Sequence, residues 1–219
     1  YVLGAFGQGG DDPEFLKKLV KVGDDYGYDS IWLSDRIVSE RFNLEPMVAL
    51  SMVAAYSDRL KFGTSVLALP LRNPVILAKQ VATLDYLSQG RFFPAVGLGQ
   101  EEPEEYEACG VPKGDRAQRT DEAIGLMRRL WQEENVTHEG QFFSCHDITI
   151  TPKPFLQPSP PVWIGGRSAA AARREDQSQA TMNPRCSHAA PLERGQSTRT
   201  PPGSTTGRQL GVSPPKALK

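Results

Sequence analysis

Cysteine is scarce in this sequence, and its few cysteines lie far apart. They are Cys109, Cys145 and Cys186, and no two of them have the close spacing of a zinc-binding or redox pair. The three histidines also lack the spacing of metal ligands. We therefore expect reduced thiols in a cytoplasmic protein, with no disulfide framework and no metal site.

Long apolar runs and an excess of one charge are also missing. No apolar stretch approaches the roughly 18 residues that a membrane-spanning helix needs. The formal net charge is −1, which provides no strongly basic face for a nucleic acid or an anionic membrane. These absences favour a small-molecule substrate over a nucleic-acid or membrane partner.

The last part of the chain has no aromatic residues. Every Phe, Tyr and Trp lies at or before Trp163, and residues 175–219 are rich in Ser, Thr, Pro, Arg and Gln. Such a composition buries too little apolar surface to offset the entropy lost on ordering. We predict a folded domain over residues 1–174 and a disordered tail over residues 175–219.

Within residues 1–174, strand and helix patterns alternate. Short apolar runs predict strands at residues 1–6, 28–33, 60–69, 92–96 and 161–164. Helical patterns separate them, and one begins at Asn73-Pro74, a good N-cap followed by a good first helical residue. This alternation predicts an α/β fold with parallel strands. An open doubly wound sheet and a closed barrel both fit the pattern.

Glycines and charged residues follow the predicted strands, where parallel α/β proteins form their sites. Asp35-Arg36 follows the second strand, and Gly99-Gln100 follows the fourth. Gly165-Gly166 follows the fifth, and either offers free backbone amides to a phosphate or forms a tight turn. No dinucleotide fingerprint is present, because the segment 97–99 lacks the third glycine.

Two further charged features have structural interpretations. The acidic stretch at residues 101–105 is expected to be a solvent-facing loop. Asp85 and Arg91 flank a predicted helix end, where we expect them to pair with each other.

Taken together, the segments from residue 23 to residue 174 resemble the luciferase-like monooxygenase superfamily, in order and in spacing. The segments that carry the resemblance are 27–35, 62–67, 87–91, 97–99, 105–106, 110–112, 152–154 and 161–166. The resemblance implies a (β/α)8 barrel, of which these residues would form about five βα units. It also implies an oxidoreductase that acts on paired donors and is a homodimer at full length.

Members of this superfamily use reduced FMN with oxygen, or coenzyme F-420 for hydride transfer. The resemblance implies a cis peptide bond between Ser65 and Val66, placed against the flavin ring. It implies cofactor-binding roles for Asp35, Ser65, Val66, Gly99, Gly165 and Gly166. The sequence around Ser65-Val66 is closer to the F-420-using branch, so we favour F-420 over FMN.

The two candidate catalytic positions depart from the F-420-using pattern. Arg36 stands where many of those members have histidine, and Gln100 stands where some have a catalytic glutamate. Neither side chain transfers a proton at neutral pH, although the permanent charge of Arg36 can stabilise a developing anion or bind an acidic substrate.

The resemblance stops at Arg174, inside a predicted helix and before three further strand–helix units of the family. We therefore favour a reading-frame shift over a natural linker as the origin of the tail. A barrel of five strands does not close, so we expect weak or no cofactor binding by the chain alone. The alternatives are a non-catalytic remnant of such an enzyme and an unrelated phosphate-binding barrel enzyme.

Overall fold

Parallel strands and helices alternate along the chain, as the sequence pattern predicts. The computed structural model describes residues 2–5, 12–40, 42–99, 102–166 and 181–182. The strands are β1 (Val2–Ala5), β2 (Ser30–Leu33), β3 (Lys61–Thr64), β4 (Leu67–Ala68), β5 (Phe92–Phe93), β6 (Ala95–Gly97), β7 (Val136–Glu139), β8 (Ser144–Ile148), β9 (Trp163–Ile164) and β10 (Thr181–Met182). The α-helices are α1 (Phe15–Asp25), α2 (Pro46–Tyr56), α3 (Pro74–Leu87), α4 (Pro103–Ala108) and α5 (Arg116–Gln132).

The parallel strands lie side by side in the order in which they occur along the chain. One sheet has the order β1-β2-β3-β5 and the other has the order β10-β9-β6-β4. Strands β3 and β4 are two parts of one extended stretch, as are β5 and β6, so the two sheets continue one another. The α/β class and the likeness to a partial barrel are confirmed. Among the described residues the sheet does not close, since β1 pairs only with β2, and β10 only with β9.

The sequence of residues 136–150 indicates irregular or hairpin structure, and the antiparallel hairpin β7–β8 forms there. Two other elements differ from the sequence-based expectations. The acidic stretch leads into the short helix α4. Thr181–Met182 pairs in parallel with β9, although it falls in the predicted disordered tail. Backbone pairing needs neither aromatic residues nor an apolar pattern, which is why composition missed this strand. The other residues of 175–219 lie outside the described residues.

Local sequence explains where the helices begin. The Asn73 side chain accepts hydrogen bonds from the backbone N–H groups of Val75 and Ile76, and Pro74 occupies the first helical position. These are the N-cap features that the sequence predicts for α3. The carboxylate of Glu45 caps α2 in the same way, by accepting from the N–H of Val48 at 2.8 Å.

The hydrophobic core lies between the strands and the inner faces of α2, α3 and α5. Leu50, Phe62, Val81 and Leu130 come from four different elements, and all are fully buried. The indole of Trp131 is also buried, and its Nε1–H donates to the carbonyl of Ala78 at 2.9 Å. Burying side chains of this size contributes about 1.5–3 kcal/mol each, so this layer stabilises the arrangement of helices on the sheet.

An aromatic layer fills the space on the other side of the strands. The ring of Trp32 lies 5.1 Å from that of Trp163 and 6.5 Å from that of Phe93. The neighbouring strand position is Gly63, whose missing side chain leaves room for the Trp32 ring. A large side chain on one strand therefore packs over a glycine on the adjacent strand in this layer.

The expected pairing of Asp85 with Arg91 is wrong. Asp85 is fully buried and accepts a hydrogen bond from the N–H of Leu156 at 2.9 Å. Burial raises the pKa of Asp85, and hydrogen bonds from the amides of Leu156 and Phe155 partly oppose this shift. Arg91 instead donates to backbone carbonyls, including those of Ser57 and Leu60. Both side chains satisfy backbone groups where chain segments end, which sequence proximity does not reveal.

The packing of Gly63 generates a stability prediction. A Cβ atom at this position would lie 2.6 Å from Cζ3 of Trp32, so Gly63→Ala must displace a buried ring. We expect a loss of at least about 1–3 kcal/mol in the free energy of unfolding. Urea denaturation followed by far-UV circular dichroism measures this loss.

The matched control is Gly125→Ala, because a Cβ at Gly125 in α5 meets nothing within 4 Å. This change should stabilise the protein by about 0.5–1 kcal/mol, since alanine has the better helix propensity. Equal unfolding midpoints for the two variants would contradict the packing argument.

Candidate functional site

A break in the third strand forms the centre of the candidate site. Between β3 and β4 the peptide bond from Ser65 to Val66 is cis, as the family resemblance implies. The N–H of Ser65 donates to the carbonyl of Leu33 on β2 at 2.7 Å. On the other side, the Thr64 hydroxyl donates to the carbonyl of Ala95 and accepts from its N–H, at 2.6 and 2.8 Å. The break is therefore held to both neighbouring strands.

The side chain of Val66 occupies space that two glycines leave open. Ideal Cβ atoms on Gly97 and Gly165 would lie 2.7 and 2.6 Å from Val66 methyl groups. The N–H of Gly165 donates to the carbonyl of Val96 at 2.7 Å, so the prediction of a free amide is wrong for Gly165. A role for Gly165 or Gly166 in binding a cofactor phosphate stays a prediction.

Gly99 lies in the segment after β6. We call the edge of the sheet that is formed by the carboxyl ends of the parallel strands the rim, and Gly99 lies there together with Val66 and Gly165. The φ of Gly99 is 83°, a left-handed conformation that glycine adopts without strain. An ideal Cβ there would lie 3.2 Å from Cβ of Ala68 and 3.0 Å from Oη of Tyr106. The structure thus brings Val66, Gly99 and Gly165 to the same ends of neighbouring strands. Gln100 lies outside the described residues.

Asp35 is buried in an ion pair and does not present a free carboxylate. Its Oδ1 lies 2.8 Å from Nη2 of Arg72, and its Oδ2 accepts from the backbone N–H of Ala68 at 3.0 Å. Arg72 also pairs with Glu45 at 3.0 Å. The two carboxylates raise the pKa of the Arg72 guanidinium, although its burial acts in the opposite direction. Asp35 therefore joins the end of β2 to β4, and its predicted contact with a cofactor ring stays a prediction.

Arg36 lies at the rim and pairs with an acidic residue from the next loop. Its Nη1 lies 3.2 Å from Oε2 of Glu102, across the gap between the segments that follow β2 and β6. The hydrogen bond from Arg36 lowers the pKa of Glu102. The guanidinium is only partly buried, so a bound anion can compete with Glu102 for it.

The expectation that the acidic stretch faces solvent is wrong for Glu105. This side chain is 2% exposed, and its Oε1 accepts a hydrogen bond from the backbone N–H of Ile37 at 2.6 Å. The density of acidic residues predicted that all of their carboxylates face water. The Glu105 carboxylate is instead satisfied by backbone N–H groups of another loop. Glu102 and Glu104 are exposed, as expected.

Sequence reasoning also missed other residues that build the rim. Asn43 accepts a hydrogen bond from the Ser34 hydroxyl at 3.5 Å, and its Nδ2 is buried without an acceptor among the described residues. That amide is a donor close to the end of β2. Arg72 offered a usable signal, because it is a single charge among the apolar residues 67–77. Asn43 offered none.

The described residues contain no group of three or more His, Cys, Asp or Glu side chains arranged to hold a metal ion. None of the described helices has the length and apolar character to cross a membrane. A groove of about 440 Å³ lies between α2 and α3, on the outer surface of these helices. Its lining includes Met47, Val48, Ala55 and Leu87. This groove is separate from the rim residues described above.

Comparison with known proteins shows one consistent family. The family model for luciferase-like monooxygenases matches residues 2–178. A relative described as an F420-dependent glucose-6-phosphate dehydrogenase, from Kineococcus radiotolerans, is 37% identical over 154 residues. That match covers 68% of this chain and 45% of the relative. The chain thus spans about half the length of the curated relatives that it matches.

Solved structures show the same likeness. A monooxygenase from Streptomyces bottropensis superposes with a TM-score of 0.72 and 26% identity, covering 78% of this chain and 55% of that one. A 3,6-diketocamphane monooxygenase from Pseudomonas putida, solved in complex with FMN, has a TM-score of 0.66 and 17% identity, covering 78% of this chain and 58% of that one. At 17% identity the second likeness concerns the fold alone.

The buried ion pair of Asp35 generates a prediction about the stability of the rim. Asp35→Asn keeps the size of the side chain but removes the charge that faces Arg72. We expect a loss of about 3 kcal/mol in the free energy of unfolding, at the low end for a broken buried pair because Glu45 still pairs with Arg72. Urea denaturation at neutral pH measures the loss.

Asp25→Asn is the matched control, because Asp25 pairs with Lys21 on the exposed face of α1. That substitution should cost about 0.5 kcal/mol or less. If Asp35→Asn unfolds at the same urea concentration as Asp25→Asn, the pair does not hold the rim.

Proposed function

The chain belongs to the luciferase-like monooxygenase family, and we propose that it acts as an oxidoreductase whose hydride carrier is coenzyme F-420. The observation that carries this proposal is the rim at the strand ends. There the Ser65-Val66 segment is held to β2 and β6, with Gly165 against Val66 and Gly99 after the end of β6. The family membership leaves the alternative of an unrelated phosphate-binding barrel without support.

The rim fits a flat ring system that must approach the backbone closely. Ser65 and Val66 are only partly buried, so one side of this segment is accessible to a ligand. Gly97 and Gly165 receive the Val66 methyl groups on the opposite side, which keeps the segment in place. A fixed platform lowers the entropy lost when a ring binds. Bound F-420 would supply the hydride chemistry, and these residues would hold and orient its ring.

Arg36 is proposed to act on the substrate at this rim. Its charge is permanent, so it can stabilise negative charge that develops on a substrate oxygen, but it cannot accept a proton. Its pairing with Glu102 keeps the guanidinium at the rim before a substrate arrives. An anionic substrate group would replace Glu102 as the partner of Arg36. We therefore propose a substrate with an acidic or oxyanionic group.

Similarity favours F-420 over FMN with oxygen. Two relatives named for F-420 dependence are 37% and 33% identical to this chain. Hydride transfer is thus the favoured reaction, and oxygen insertion with FMN is the competing one. We propose that the enzyme belongs to the oxidoreductases that act on paired donors. We also propose that it works in the cytoplasm, in keeping with its scattered cysteines.

A titration of the 219-residue chain with each cofactor tests the proposal. We expect oxidised F-420 to bind more tightly than FMN, as measured by quenching of the fluorescence of each cofactor. Weak binding is expected for a chain that spans about half the length of its relatives, so the titration extends to high protein concentration. Tighter binding of FMN would refute the F-420 assignment, and no binding of either cofactor would favour the alternative that this chain is a non-catalytic remnant of the family.

Gly99→Ala tests whether binding occurs at the rim. The added Cβ would meet Ala68 and Tyr106, and we expect F-420 affinity to fall about tenfold, the equivalent of about 1.4 kcal/mol. Gly110→Ala is the control, because Gly110 also has a positive φ (65°) but nothing within 4 Å of an added Cβ. Equal affinities for the two variants would place the cofactor elsewhere.

We further propose that the protein forms a homodimer through α2 and α3. Helix α2 has no charged residue within its length and exposes Val48 (66%) and Met52 (42%), while α3 exposes Ile76 (61%) and Leu87 (70%). A helix that is apolar on all sides is usually covered. A second copy presents the same largely apolar face, where Lys79 is the one charged side chain that lines the groove between α2 and α3 among the described residues. Two-fold pairing of identical faces is the commonest form of assembly.

Val48→Glu should convert the dimer to monomer, because it places a charge within the apolar face. Light scattering coupled to size-exclusion chromatography measures the molar mass. Val22→Glu is the control, since Val22 is also an exposed valine but lies on α1. A wild-type chain that is monomeric at high concentration, or a Val48→Glu variant that remains dimeric, would contradict this interface.

A further inference from the structure

Two adjacent residues of the short helix α4 contact two different rim segments. Glu105 contacts the segment that follows β2, and Tyr106 contacts the segment that follows β6. Both side chains are buried, at 2% and 1% exposure, although α4 itself lies on the surface and its other glutamates are exposed. Two buried polar side chains on such a helix need a specific reason.

The Glu105 carboxylate holds the backbone directly after Arg36. Its Oε1 accepts from the N–H of Ile37 at 2.6 Å and from that of Val38 at 3.4 Å. These residues lie outside any helix or strand, so their N–H groups have no partner within a regular element. Hydrogen bonds to a charged acceptor are about twice as strong as neutral ones. The carboxylate therefore restricts the backbone that determines where Arg36 points.

Tyr106 holds the segment on the other side of the gap. Its hydroxyl donates to the carbonyl of Leu98, and Oη lies 3.0 Å from the position of a Cβ on Gly99. The Tyr106 ring thus lies against the backbone where the chain leaves β6. The same helix also supplies Glu102, its N-cap residue, to pair with Arg36.

We propose that Glu105 and Tyr106 are positioning residues, which join the segments 35–38 and 98–99 through α4 and so set the distance across the rim. The link to cofactor binding rests on the proposed function. Neither residue needs to touch the cofactor or the substrate. Their effect passes through Arg36 on one side and Gly99 on the other.

Amide hydrogen exchange, measured by mass spectrometry on the full chain without cofactor, tests this directly. Glu105→Ala should accelerate exchange in the peptide covering residues 34–40 by about tenfold or more, since it removes a charged acceptor. Tyr106→Phe removes only the hydroxyl, and should accelerate exchange at residues 98–100 while leaving residues 37–38 unchanged. Glu107→Ala, an exposed glutamate of the same helix, should change neither peptide.

Glu105→Gln separates positioning from loss of fold. The amide oxygen of glutamine still accepts from Ile37, so protection of residues 34–40 should be largely restored. Unchanged exchange at residues 34–40 in Glu105→Ala would overturn the proposal. So would faster exchange throughout the chain in both Glu105→Ala and Glu105→Gln, because that outcome indicates a general loss of folding.

The same variants are then titrated with F-420. Glu105→Ala and Tyr106→Phe should each weaken binding about tenfold, and Glu105→Gln and Glu107→Ala should bind as the wild type does. If wild-type chain binds F-420 and all variants bind equally well, the positioning role is wrong. If the wild type binds no F-420, the proposed function fails, and the exchange data still decide whether α4 joins the two segments.

Discussion

The ion pair between Asp35 and Arg72 is the interaction on which the rim depends. It lies where β2 ends and connects that end to the residues after the break in the third strand, because Asp35 also accepts from the N–H of Ala68. A buried carboxylate is costly unless its partners satisfy it, and here a guanidinium and a backbone amide do so. The position of Ser65-Val66, between β3 and β4, follows from contacts on each side of it.

The glycines around this break serve packing as well as access. In the sequence, Gly165 suggested a backbone amide free to bind a phosphate. In the structure Gly97 and Gly165 both leave room for the methyl groups of Val66, and the amide of Gly165 belongs to the sheet. The surface left for a ligand is the other side of Ser65-Val66 and the segment near Gly99. The Ser65-Val66 segment is thus held in place because the two glycines leave room for the side chain of Val66.

Much of the fold was predictable, because apolar periodicity and helix caps are local properties. The alternation of strands and helices, the cap at Asn73-Pro74 and the resemblance that implied a cis bond at Ser65-Val66 all agree with the structure. The partners of charged residues were not predictable. Asp85 and Arg91 are close in sequence but bind separate backbone groups, and Glu105 lies in an acidic stretch but is buried.

The sequence by itself determined the α/β class, the parallel order of the strands and the family, since each depends on patterns of residue type along the chain. It also located the strand ends that form the rim. Only the tertiary structure decided that Asp35 pairs with Arg72, that Val66 fills the space above two glycines, and that Glu105 and Tyr106 join two loops through α4. The reason is physical. A buried polar group is satisfied by whichever group the fold brings near, and the backbone N–H groups that satisfy Asp35 and Glu105 lie 33 and 68 residues away in the chain.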